Sequence, residues 1–277
     1  MLKTLNPEYN LNHIVLDQRN KRMVVNGYAL GTIVSVFSYE LIILAINNHL
    51  EKIWLWALPA DVPIFLRQGF FLEGSLYRGN EEEFSVSLAY YVCKSRARSV
   101  YLDAEKRVLH SIKARPLNPL LPLPAGMKLK LLDESFSSEI SQLLTKVFSS
   151  YPSPVENPEY LRSLFRKGRF FAGVIYRENL IAVAAAYPNL TFNRCEMTDC
   201  ATLEEYRGYS LTQHLLTILE YEIKKKSALI LYTLVRAQSL GMNRVFHKLG
   251  YQYQGRLINN CYICSAYEDM NLWAKFF

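Results

Sequence analysis

Two twelve-residue stretches of this chain follow one pattern. Residues 65–76 read FLRQGFFLEGSL and residues 246–257 read FHKLGYQYQGRL. The leading Phe, a basic residue, a Gly, the aromatic after it, a second Gly and the final Leu coincide. Such a stretch suits the close of a helix and the start of a strand. The first Gly falls where the helix ends, in a left-handed conformation that only glycine adopts cheaply. The pattern occurs twice because a mixed α/β module occurs twice.

The order of elements around each copy supports this. In the C-terminal part, helical spacing covers 137–151, and a short helix follows Pro158. Strand-type runs follow at 170–177, 179–190 and 194–203. An amphipathic helix covers 210–226, with positive charge at its C-terminal end, where the helix dipole favours it. A buried strand at 229–235, a helix at 239–248 and strands at 251–258 and 262–274 complete this part. The N-terminal part repeats a shortened version. It has strands near 13–17, 22–26 and 31–37, a helix at 39–50, a strand at 52–56, a helix at 61–68 and a strand at 84–92. The predicted class is therefore α/β with a mixed (α+β) sheet flanked by helices.

Residues 110–126, HSIKARPLNPLLPLPAG, hold four prolines and read as a linker. The expected division is an N-terminal domain at 1–109, a linker at 110–126 and a C-terminal domain at 127–277. Half the residues are hydrophobic, which excludes a disordered chain. The apolar run 28–46 contains Ser35, Ser38 and Glu40, and a strand plus a buried helix suits it better than a membrane span. Residues 1–20 show no secretory signal, and five cysteines are an odd count. Both point to a reducing, cytoplasmic setting. Cys261 and Cys264 form a lone pair without the further ligands a zinc site needs, so no metal is expected. The net charge of +7 fits either a solvated surplus of Lys and Arg or attraction of an anionic ligand.

The stretch that carries chemistry is EMTDCATLEEYRGYSLTQHLL, 196–216. Arg207-Gly208 falls at a strand-to-helix turn. A Gly there lets backbone approach a ligand, and the amides of 207–212 point from the helix N-terminus. This suits a phosphate or pyrophosphate. The first module has no Arg-Gly turn before its helix, and no pyrophosphate site is expected there.

This segment, followed by strand, helix and KLGY, resembles the GNAT acetyltransferase family. That family's turn reads Arg-Gly-x-Gly-x-Gly/Ala and holds the acetyl-CoA pyrophosphate. Here Arg207, Gly208, Tyr209, Ser210, Leu211 and Thr212 stand in its place, with Ser and Thr at the second and third small positions. ATLEEYRG, RAQSLGMNRVFHKLGY, GRLINN and EDMNLW, with NKRMVV and GFFLEG nearer the start, are similar to the β-lysine N6-acetyltransferases in order and spacing. The resemblance implies a GNAT fold with a degenerate N-terminal copy. It also implies acetyl-CoA in the splay between two parallel strands, and the terminal amine of 3,6-diaminohexanoate as acceptor.

The resemblance also places residues. Glu196, on the central strand, is a candidate base, because an alkylammonium of pKa about 10.4 must lose a proton before attacking a thioester. Asp199 is the alternative. Strand alternation puts the two on opposite faces unless a bulge intervenes. The backbone of Ala201 and Thr202 would pair with pantetheine amides. Ser239 and Asn243 would touch the cofactor. Phe246 stands where many members have a proton-donating Tyr. Asn259, Asn260, Glu268 and Asp269 would hold the acceptor's carboxylate and inner ammonium. A homodimer is compatible with this reading; nucleic acid and membrane are not among its expected partners. The competing readings are a protein or peptide N-acetyltransferase, and a non-catalytic module binding CoA or nucleic acid. For the last, Lys224–Lys226 and CKSRARS (93–99) supply charge without interleaved aromatics.

Overall fold

The computed structural model describes residues 13–77, 85–113, 120–226 and 230–277. In chain order these form β1 (Ile14–Asp17), β2 (Arg22–Val25), α1 (Val34–Asn47), β3 (Lys52–Ala57), α2 (Val62–Arg67), β4 (Phe71–Leu76) and β5 (Ser85–Tyr91). Then come α3 (Leu102–Lys113), β6 (Lys128–Leu132), α4 (Ser137–Val147), α5 (Pro158–Arg166), β7 (Phe170–Tyr176), β8 (Asn179–Asn189) and β9 (Arg194–Thr202). The chain ends with α6 (Leu211–Lys224), β10 (Ile230–Arg236), α7 (Leu240–Lys248), β11 (Gln252–Ile263) and β12 (Ala266–Phe276). The mixed α/β class is as expected.

The chain forms two compact units. Unit 1 takes residues 1–103, 254–262 and 267–272; unit 2 takes 104–253, 263–266 and 273–277. The first long segment ends at Asp103, against an expected domain end at 109. However, most of β11 and β12, expected in the C-terminal domain, belongs to unit 1. The expected linker also starts too early. α3 runs to Lys113, and the first proline of the stretch is Pro116, so nothing at 110–113 opposes a helix. Residues 114–119 lie outside the described residues.

In unit 1 the strands run in the order β1-β2-β3-β5-β4-β11-β12. β2 and β3 are parallel and in register from Arg22/Lys52 to Val25/Leu55, with α1 as their crossover. The strand expected at 31–37 is instead the start of α1. Val34, Phe37, Leu41, Leu44 and Ala45 are buried at three- and four-residue spacing, so this face docks on the sheet only as a helix. At 14 residues α1 is too short to cross a bilayer, and no helix among the described residues is long and apolar enough to do so.

In unit 2 the order is β10-β9-β8-β7-β6. β6, which the sequence reading lacks, pairs antiparallel with β7. α6 packs on one face over Ala182, Ala184, Ala186 and Met197. α4 and α5 cover the other, over Val183, Ala185, Ala201 and Phe171.

The two copies of the repeat have the same local geometry. Gly69 has φ +89 and Gly250 φ +85. In the first copy, the amides of Gly69 and Phe70 donate to the carbonyls of Leu66 (3.0 Å) and Phe65 (3.1 Å). In the second, Gly250 and Tyr251 donate to His247 (3.0 Å) and Phe246 (3.1 Å). Both are Schellman caps, and each carries the apolar contact such caps favour: Phe65 on Phe70 (5.1 Å between ring centres) and Phe246 on Tyr251 (5.0 Å). The second glycines of the two copies face each other. Gly74 of β4 pairs antiparallel with Gly255 of β11, inside unit 1.

Candidate active site

The two parallel strands of unit 2 part at one residue. β9 and β10 are in register at Arg194/Ile230, Cys195/Leu231 and Glu196/Tyr232. Pairing stops there, although β9 continues to Thr202 and β10 to Arg236. Beyond Glu196 the strands open into a fork. One edge of β9 at Ala201 and Thr202 pairs with β8, and the edge toward β10 has no strand partner among the described residues.

A cleft of about 530 Å³ occupies the fork. Of the expected cofactor contacts, Ala201, Thr202, Arg207, Gly208, Ser210, Leu211, Thr212 and Ser239 line it. Tyr206, Arg236, Gly241 and Met242 line it too and were not anticipated, because their neighbours in the sequence give no separate signal. The turn has the backbone a cradle needs. Gly208 has φ +91 and Ser210 φ +59, and the first amide bonded within the following turn is that of Gln213, to the Ser210 carbonyl at 3.0 Å. The amides of Leu211 and Thr212 therefore lack intrahelical acceptors, as at any helix start. A Cβ built on Gly208 meets nothing within 4 Å, so the space over it is open. A pyrophosphate fits this combination of free amides, an Arg and an open approach to backbone.

Three expected cofactor contacts stand elsewhere. Tyr209 is exposed on the turn. Asn243 is fully buried, and both ends of its side-chain amide are used: Nδ2 donates to the carbonyls of Arg236 (2.9 Å) and Ser239 (2.8 Å), and Oδ1 accepts from Trp273 Nε1 (2.8 Å). It pins the end of β10 to the start of α7. Phe246 lies in the core as the apolar half of the helix cap and does not line the cleft.

Of the two carboxylates, Glu196 sits at the apex of the fork, as the last residue of β9 in register with β10. Its Oε2 accepts a long hydrogen bond from the Tyr232 hydroxyl, 3.4 Å. Burial and the charge of Glu196 push that phenol well above its ordinary range, so it stays a donor. Asp199 is buried and has φ +50. The register between β8 and β9 shifts across it, from Ala185/Thr198 to Val183/Ala201, which marks a bulge. The bulge re-aims Asp199. Tyr187 is opposite Glu196 and shares its face, and the Tyr187 hydroxyl donates to Asp199 Oδ2. Tyr151 donates to the other oxygen at 2.8 Å. Thus both carboxylates serve one face, contrary to simple alternation. Burial raises the Asp199 pKa, and the two hydroxyls oppose that shift.

Asn259, Asn260, Glu268 and Asp269 all lie in unit 1 and outside this cleft. No group of His, Cys, Asp and Glu among the described residues is arranged to hold a metal ion.

Comparison with known proteins agrees with this geometry. Residues 137–251 match the acetyltransferase (GNAT) family. The chain is 34% identical over 265 residues to the N-acetyltransferase YodP of Bacillus subtilis, covering 94% of each chain. It is 35% identical over 236 residues to a β-lysine N(6)-acetyltransferase of Methanococcus maripaludis, covering 83% of this chain and 84% of that one. A β-lysine N(6)-acetyltransferase of Methanosarcina mazei is 33% identical over 153 residues, covering 55% of this chain and 56% of that one. The matched family segment spans α4 to the second cap and so contains the fork, the cradle and both carboxylates. The chain belongs to the GNAT acetyltransferase family and is an N-acetyltransferase.

Proposed function

We propose that the protein transfers an acetyl group from acetyl-CoA to the terminal (N6) amine of β-lysine or a similar small diamino acid. The observation that carries the transfer is the fork itself, with a carboxylate at its apex and a phosphate cradle on its rim. The relatives named for β-lysine support the acceptor. The donor supplies an activated acetyl thioester; the chain's residues bind, orient and move the proton.

The free amides at the start of α6, with Arg207, hold the pyrophosphate. The edge of β9 at Ala201 and Thr202 offers backbone donors and acceptors to the pantetheine amides, as an added strand would. Glu196 takes the ammonium proton. Asp199 already accepts two tyrosine hydroxyls, so we give it a positioning role, holding Tyr151 and Tyr187, the latter the cross-strand neighbour of Glu196.

Two expected results follow for the donor. Acetyl-CoA at 100 times its Kd should stabilise the full-length protein by about 2.7 kcal/mol, measured as a thermal shift. Gly208→Val should raise the acetyl-CoA KM by about tenfold or more, equivalent to about 1.4 kcal/mol. The branched side chain would stand in the open approach to backbone and would disfavour the left-handed φ. An unchanged KM in Gly208→Val would remove the cradle from the account.

The acceptor is tested with β-lysine, α-lysine, a monoamine of the same length and a peptide with a free N-terminus. The account expects the highest kcat/KM for β-lysine. Preference for the peptide would assign the chain to protein acetylation instead.

A further inference from the structure

Unit 1 contains a buried polar cluster that no packing argument explains. Lys52 of β3 donates to Glu73 Oε1 of β4 at 2.9 Å and to the Ile258 carbonyl at 2.8 Å. Glu73 Oε1 also accepts from the Ile258 amide at 2.7 Å and from the Tyr91 hydroxyl. One residue on, the Asn259 amide donates to Asp269 Oδ1 at 2.7 Å, and its carbonyl accepts from Arg96 Nε at 3.0 Å. The side chains therefore converge on two consecutive residues of β11. Asn259 there has φ +44, a costly conformation in the middle of a strand.

The oxygens and nitrogens left over form a pattern. Glu73 Oε2, Asp269 Oδ2 and Asn260 Oδ1 are buried and accept from none of the described residues. Arg96 Nη2 is buried and donates to none. Relative exposures are 7%, 4%, 0% and 4% for these four residues. Burying a carboxylate oxygen or a guanidinium N–H without a partner is costly, so a fold does not collect four such atoms for stability. Three desolvated acceptors suit the three N–H donors of a primary ammonium. Arg96 Nε and Nη1 are taken by the Asn259 carbonyl, the Lys21 carbonyl and Glu51, and the remaining Nη2 suits one oxygen of a carboxylate.

We infer that this cluster is the recognition site for a small zwitterion, its primary ammonium held by Glu73, Asp269 and Asn260 and its carboxylate by Arg96. Lys52 and Tyr91 act through Glu73 as positioning residues. They occupy one of its oxygens and leave the other for the ligand. The inference rests on the acceptor reading above for the choice of ligand, and every residue it uses lies in unit 1. It retains two of the four acceptor residues expected from sequence and adds Glu73 and Arg96.

The test measures the Kd of the full-length protein for β-lysine, α-lysine and 1,5-diaminopentane, in the presence of CoA. The parent and the variants Asp269→Asn and Arg96→Lys are compared. Asp269→Asn should weaken all three ligands by about 10- to 100-fold, the range for hydrogen bonds to a charged group. Arg96→Lys should weaken the two amino acids and leave the diamine, which has no carboxylate, unchanged. CoA affinity should be unchanged in both, which reports that unit 2 is intact. Variants that bind the amino acids as the parent does overturn the inference. So does a parent whose melting temperature moves with neither amino acid, whatever the variants do. If the parent binds α-lysine with these same losses but does not acetylate β-lysine, the acceptor reading fails and the site stands. If the parent acetylates β-lysine but both variants bind it with the parental Kd, the reading stands and the site fails.

Discussion

Glu196→Gln should lower kcat by about 10²–10⁴-fold, the range for loss of a general base. The acceptor KM and acetyl-CoA affinity should change little, because the residue acts on the proton rather than on binding. The expectation follows from placement. Glu196 is the last residue of β9 paired with β10, at the point where the fork opens, beside the residues that line the cleft rather than among them. The Tyr232 hydroxyl approaches its Oε2 at 3.4 Å, a long and weak contact. Asp199 differs. It is buried, and each of its oxygens accepts a tyrosine hydroxyl. Asp199→Asn should therefore lower thermal stability and shift the pH profile of kcat without abolishing turnover. If Glu196→Gln keeps parental kcat across the pH range while Asp199→Asn loses it, the two roles are exchanged.

Gly255→Ala should destabilise the protein by about 3 kcal/mol or more, lowering the melting temperature on the order of 10 °C. A Cβ at Gly255 would lie 2.2 Å from the Glu73 carbonyl oxygen and 2.5 Å from the Gly74 Cα. Both are backbone atoms of the paired strand and neither can rotate away. Its φ of +151 adds strain for any side chain. Gly250→Ala is the control from the same repeat. Its φ is also positive, but a Cβ there meets nothing within 4 Å, so its cost should stay at about 1–2 kcal/mol. Equal losses in the two variants would mean that the close approach of the two copies contributes nothing beyond backbone conformation.

The repeat was legible because glycine at a helix end and glycine at a close backbone contact have few substitutes. The caps at Gly69 and Gly250 followed directly. That the second glycines meet each other did not, because strand pairing across a long sequence separation leaves no local signal. The cradle was legible from Arg207-Gly208 and the small residues after it. The fork was not, because where two parallel strands part depends on their neighbours. The bulge at Asp199 was hidden for a similar reason. One extra residue on β9 leaves the apolar alternation on either side intact and only re-aims the residues inside it. At 31–37 local β-branched preference pointed to a strand, while the three- and four-residue spacing of Val34, Phe37 and Leu41 pointed to a helix, and packing followed the spacing. Their positions in a family pattern put Asn243 and Phe246 among the ligand contacts. Their full burial and internal partners, which sequence does not display, make them structural. Most of β11 and β12 was assigned to the C-terminal domain by chain continuity. Contacts place those segments with unit 1, where the buried polar cluster of Lys52, Glu73, Arg96 and Asp269 lies.

The most direct measurement uses the full-length protein, β-lysine and acetyl-CoA labelled with ¹³C in its acetyl group. Release of the CoA thiol is followed together with the position of the label by NMR. The account predicts thiol release that depends on β-lysine, with the label on the N6 amide and release depressed about 10²–10⁴-fold in Glu196→Gln. Label on the inner amine, or thiol release indifferent to β-lysine, would contradict it.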